Sequence, residues 1–169
     1  MILVALYVDD LIFSGNYDEM IEEFESTMTR EFEMIDLGLL KFFLRLEVKQ
    51  GETGIFVSQE KYAKEILKKY KMENCNPVST PMEPSAKLSK YDEEERVDAN
   101  RYESLVESLR YLTCTRPDLL LCVGIISQSM EESIYSHWKA LKRVLRYPRN
   151  SVTWVILLEN KRLQVSWLL

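Results

Sequence analysis

The first sixteen positions carry an apolar run, Ile2-Leu3-Val4-Ala5-Leu6-Tyr7-Val8, a break at Asp9-Asp10, and a second run, Leu11-Ile12-Phe13-Ser14, closed by Gly15-Asn16. Two short apolar runs around a polar pair predict a hairpin with its acids at the tip and a buried first strand. From Asp18 to Phe32 the period changes. Ile21, Phe24, Met28 and Phe32 recur at steps of three and four, which predicts an amphipathic helix, and the eight acids and one Arg between Tyr17 and Asp36 give it a solvated acidic face. Leu40 to Val48 and Ile55 to Val57 predict two strands joined by the glycine turn 50–54. Ser58 is placed to cap a helix with Tyr62, Ala63, Ile66, Leu67 and Tyr70 on one face and Lys61, Lys64, Lys68, Lys69 and Lys71 on another.

Between Asn74 and Asn100 the prolines 77, 81 and 84 and the acids Asp92 to Glu95 interrupt all periodicity, as a linker between lobes would. Beyond it Leu105, Leu109 and Leu112 predict one helix, Pro117 opens a second, and Ile134, Trp138, Leu141 and Leu145 predict a third, ended by Pro148. Thr153 to Leu158 and Leu163 to Trp167 predict a terminal hairpin. The expected fold class is α+β: antiparallel strands with packed helices over 1–72, a Pro-rich acidic linker over 73–101, a helical lobe over 102–150 and the hairpin over 151–169.

Composition narrows this picture. A chain of 169 residues that is 46% hydrophobic can bury about 68 to 70% of its unfolded surface, so disorder is a poor description. The net charge of -5 argues against a surface that is basic throughout, but residues 1–100 carry 12 basic and 21 acidic side chains while 101–169 carry 10 and 6. A polyanion should therefore meet the second half. Cys75, Cys114 and Cys122 lack the spacing of a zinc site and read as small buried residues of a reduced protein, and His137 as a packed or solvated histidine. The longest apolar run is too short for a membrane span and no targeting signal is visible, so the expected setting is intracellular, cytoplasmic or nuclear, with no membrane partner. Both ends are apolar, as the cut edges of a longer polyprotein would be.

The adjacent aspartates are the candidate chemistry. Like charges side by side disfavour one another, and a divalent cation such as Mg²⁺, which takes one or two carboxylates plus waters and phosphates, resolves the conflict. By composition alone an acid-rich turn is the better reading. The basic run Lys139, Lys142, Arg143, Arg146 and Arg149 reads equally as a phosphate-facing surface and as an exposed helix face that happens to be basic.

Tyr7-Val8-Asp9-Asp10 inside an apolar hairpin resembles the palm motif of reverse transcriptases, and the chain as a whole resembles the copia-type retrotransposon branch. The matching blocks follow in order: Tyr7 to Asn16; Phe32-Glu33-Met34 with Asp36-Leu37-Gly38; Phe42 to Val48; Gly54 to Leu67; Cys75-Asn76-Pro77-Val78 with Thr80-Pro81-Met82; Tyr102 to Asp118; and His137 to Tyr147. The resemblance implies a partial palm over 1–72, a thumb over 102–150, and over 151–169 the start of a connection toward a ribonuclease H domain. It implies Asp9 as a catalytic metal ligand supported by Asp10, Tyr7 and Val8 against the substrate, Phe42 to Val57 as a primer grip, and the basic run on the nucleic acid. The cofactor would be Mg²⁺. The partners would be an RNA or DNA primer-template and deoxynucleoside triphosphates, with a further chain supplying the missing palm strands.

The same resemblance limits the expectation. Only eight residues precede Asp9, so the family's other palm aspartate and its fingers have no counterpart, and no polymerase activity is expected from the chain alone. Arg45 and Glu107 stand where the family usually has glycine, Glu103 where it is typically basic, and Pro148-Arg149-Asn150 in place of a run usually containing Lys-Gly. Bulky charges at the two glycine positions would disturb the primer grip and the packing of the thumb. The alternative function is a non-catalytic nucleic-acid or protein interaction module from a degenerate element.

Overall fold

A computed structural model describes residues 1–51, 54–83, 88, 94–148, 156–158 and 164–168. The chain is mixed α and β with antiparallel strand ladders, and it divides into two compact units, Met1–Ser58 with Val155–Leu169, and Gln59–Trp154.

In the first unit β1 (Ile2–Tyr7) and β2 (Asp10–Gly15) form the expected hairpin, in register from Ile2↔Gly15 to Tyr7↔Asp10. Next come α1 (Asp18–Phe32), β3 (Asp36–Leu39), β4 (Phe42–Phe43), β5 (Leu46–Gly51) and β6 (Gly54–Ser58). The strands form two sheets with β7 (Ile156–Leu158) and β8 (Gln164–Leu168), in the orders β1-β2-β8-β3 and β4-β5-β6-β7. The alternation of β2 serves both its faces. Leu11 and Phe13 join Ile21 of α1 in one small core, with Phe24 and Met28 packed alongside, whereas Ile12 packs on a second core of Leu40, Val48 and Ile55. Gly15 sits under α1, where an added Cβ would lie 3.0 Å from the Ile21 side chain.

Four expectations need correction here. The apolar run of β1 is not buried: it is an edge strand with Leu3, Val4, Leu6 and Tyr7 exposed, because hydrophobicity alone does not reveal whether a strand has one neighbour or two. The run 40–48 is not one strand. It turns at Leu44 and Arg45, both at positive φ (45° and 62°), and Phe42 and Phe43 fold back on Glu47 and Leu46. The two last strands do not pair with each other; β7 extends the sheet of β6, and β8 lies between β2 and β3. Ser58 ends β6 and Gln59 takes the N-cap position, with no side-chain cap bond.

The second unit contains α2 (Glu60–Lys69), α3 (Ala99–Leu112), a 3₁₀ turn (Pro117–Leu119), α4 (Leu120–Ser127) and α5 (Tyr135–Arg146). Asp98 caps α3 by accepting from the Arg101 N–H at 3.1 Å. Tyr62, Ile66 and Leu67 of α2, Leu105 and Leu109 of α3, Val123 and Ile126 of α4 and Leu141 and Leu145 of α5 form one core. The boundary between units thus falls at Ser58 and not at residue 72, since the apolar face of α2 is spent on the helices. Nor is the Pro-rich segment a free linker: Cys75, Met82, Leu88 and Val97 pack on that same core. Residues 84–87 and 89–93 of the expected linker, and residues 149–155, lie outside the described residues. Among the described residues no helix is long and apolar enough to cross a membrane.

Candidate functional site

The acidic hairpin is a two-residue turn. Val8, the first of the two turn residues between Tyr7 and Asp10, is at φ 54°. A β-branched residue at positive φ is strained, and here it stands beside the aspartate pair. The turn thrusts Val8 outward at 77% exposure, leaves Asp9 exposed, and holds Asp10 half-buried as the first residue of β2, opposite Tyr7. The Tyr7 ring meets the Phe43 ring edge-on, 5.8 Å between centroids, which ties the hairpin tip to the β4 turn. All four motif residues therefore lie in one tight turn.

An exposed and a half-buried carboxylate side by side are hard oxygen donors of the kind Mg²⁺ accepts, so the residues fit a site to be completed by water, phosphate or a further carboxylate. Among the described residues no three His, Cys, Asp or Glu side chains are grouped closely enough to hold a metal ion by themselves.

On α5 the basic residues have separate fates. Lys139 is exposed and Lys142 lies over the Trp138 ring at 5.3 Å, a ring that Arg101 also approaches at 5.0 Å. Arg143 donates from Nη1 to Glu83 Oε1 at 3.1 Å and from Nη2 to the Thr80 hydroxyl at 3.1 Å, and Arg146 Nε donates to the Asn76 carbonyl at 2.7 Å. Arg149 lies outside the described residues. His137, fully buried, accepts through Nδ1 from the Ile134 N–H at 3.3 Å and so serves the start of α5. Of the cysteines Cys122 is buried, Cys75 half-buried and Cys114 exposed, which corrects the expectation for the last two.

Sequence reasoning missed the buried polar framework. Arg116, 4% exposed at its side chain, forks onto Asp118 at 3.0 and 2.8 Å and lies 5.3 Å from the Tyr147 ring. The hydrogen bond from this guanidinium, opposed by desolvation and assisted by its charge, holds the Asp118 carboxyl below its ordinary range. Gln59 accepts from the Thr115 hydroxyl at 2.7 Å and donates to the Tyr111 carbonyl at 3.3 Å, which anchors the start of α2 to the end of α3. The block Thr115 to Asp118 carried the signal, but a polar tetrapeptide reads as a turn until its burial is known. Glu107 does not disturb the helices: it is exposed on α3 and pairs with Arg110 at 3.0 Å.

Residues 1–84 match the family model described as reverse transcriptase (RNA-dependent DNA polymerase). The chain is 37% identical over 147 residues to the retrovirus-related Pol polyprotein from transposon RE1 of Arabidopsis thaliana, an alignment covering 87% of this chain and 10% of the polyprotein. It is 35% identical over 159 residues to the Pol polyprotein from transposon TNT 1-94 of Nicotiana tabacum, covering 89% and 12%. An uncharacterized mitochondrial protein of Arabidopsis thaliana is 36% identical over 153 residues, covering 88% of this chain and 62% of that protein. The chain thus spans about a tenth of each polyprotein's length and less than two thirds of the mitochondrial relative. No solved structure matches it. The acid-tipped hairpin, the family model that contains it and relatives aligned over nearly nine tenths of the chain agree: the protein belongs to the reverse transcriptase region of copia-type retrotransposon polyproteins.

Proposed function

We propose that the chain serves RNA-directed DNA synthesis, extending a DNA primer from deoxynucleoside triphosphates on an RNA or DNA template. The first unit would supply the palm side of the active site and the helical unit a thumb. The observation that carries this reading is the tight turn that leaves Asp9 exposed beside Asp10 on an apolar hairpin. In this reading Asp9 holds a divalent cation, with Mg²⁺ the expected ion, and Asp10 supports it. Such an ion neutralises developing charge on the transferred phosphoryl group. Tyr7, braced by Phe43, and the projecting Val8 form the floor on which the primer end rests. Lys139, Lys142, Arg143, Arg146 and Arg149 contact backbone phosphates, each with a salt-dependent contribution.

Because Asp9 and Asp10 are the only carboxylates in the turn, the metal site in this reading takes a further ligand from outside it, from a segment or chain that supplies the remaining palm strands. Primer extension with Mg²⁺ tests the whole. The intact polyprotein region should incorporate nucleotide, and Asp9→Asn within it should lower the rate at least a hundredfold, roughly the loss seen when one preorganised charge-stabilising group is removed. Full incorporation by the Asp9→Asn protein would sink the assignment.

A further inference from the structure

We propose that residues 74–83 form a displaceable strap that occupies the basic face of α5 and competes there with nucleic-acid phosphates. The proposal rests on the reading of α5 as a phosphate-contacting surface. The strap's polar ties fall on two of the cations assigned to that surface: Glu83 and Thr80 bind Arg143, and the Asn76 carbonyl binds Arg146. A carboxylate, a hydroxyl and a carbonyl oxygen thus stand where phosphate oxygens would.

Three observations make the strap displaceable. No residue from 73 to 83 is fully buried, and its apolar hold on the helical core comes from the partly buried Cys75 and Met82. Segments so thinly packed open at low cost. The Arg143–Glu83 pair is open to water, with 60% of the glutamate side chain exposed, so solvent screens it. Finally, with the strap docked, Arg143 Nε is buried with no hydrogen-bond partner. An arginine forks onto phosphate with parallel N–H donors, so release of the strap would free Nε to join a grip that Nη1 and Nη2 now make alone. A further acid acts at the other end of the helix: Glu94 Oε2 accepts from the Ser136 N–H at 2.6 Å, beside the Glu95 carbonyl, which accepts from the Tyr135 N–H at 3.0 Å. Glu83 and Glu94 therefore meet α5 toward its opposite ends.

The test uses the full chain, a fluorescent DNA duplex of about 20 base pairs at about 50 mM salt, and the variant Glu83→Gln with Thr80→Val. Anisotropy should show the variant binding roughly three- to fivefold tighter than the unaltered chain, the scale of one screened ion pair with its added hydrogen bond. Amide exchange over 74–83 should rise when the unaltered chain binds the duplex. Arg143→Gln should bind more weakly than either. If the duplex binds but the variant is no tighter, or if exchange over 74–83 does not rise, the strap is not a competitor and the phosphate reading of α5 survives. If neither chain binds the duplex, both readings fall.

Discussion

Val8 and Arg45 each place an L-residue in the left-handed region, at φ 54° and 62°, a conformation costing about 1–2 kcal/mol per residue relative to its right-handed mirror. Glycine removes that cost but adds unfolded-state freedom, so Arg45→Gly should stabilise the chain by about 0.5–1 kcal/mol, read from the urea midpoint of the first unit. A loss of stability would mean that the Arg45 side chain contributes more than its backbone costs. The family's glycine at this position made the site legible before the structure, although it pointed to close backbone approach and not to a turn. Leu44 carried no such signal, since a leucine in a Phe- and Leu-rich run reads as strand. At the acidic tip the residue types were readable but the strain was not, because nothing in the letters Val-Asp distinguishes one hairpin turn from another.

At the scale of elements, period was a reliable guide wherever a helix has one apolar stripe: α1, α2, α3 and α5 occupy the segments their spacing predicts, with Ile21, Ile66, Leu105 and Leu141 buried as expected. Strands were different. Alternation identifies a strand but not its partner, and β7 and β8 joined two different sheets because their partners were fixed by packing distant in sequence. The close approach of β2 to α1 at Gly15 was likewise invisible. Gly15→Ala should force the Ile21 side chain aside and cost about 1–3 kcal/mol, as overpacking does, with the loss detected in the first unit's unfolding and absent from that of α3 and α5. An unchanged midpoint would show that Ile21 yields freely.

At the scale of the molecule the two units are unequal. The helical unit is built on one core of nineteen buried residues, whereas the first unit divides its interior between two clusters of three, counted among the described residues. Hydrogen exchange should therefore find the slowest amides at Leu109 and Leu141 and faster ones in β1 and β2; equal protection would contradict the separation. The order of family blocks made the identity legible from sequence, but the docking of residues 74–83 on α5 was not, since prolines and acids read as linker whether or not they are held. One consequence concerns synthesis. The ladder partner of β2 on its far side is β8, which leaves the ribosome long after the hairpin has emerged. With Leu168 at the far end of that ladder from Gly15, and elongation at about 5–20 residues per second, the nascent chain carries β2 paired with β1 on one side but open on the other for about 8 to 30 s. The helical unit can fold completely within that interval, so the acid-bearing sheet is the part of this protein most in need of a chaperone's shelter.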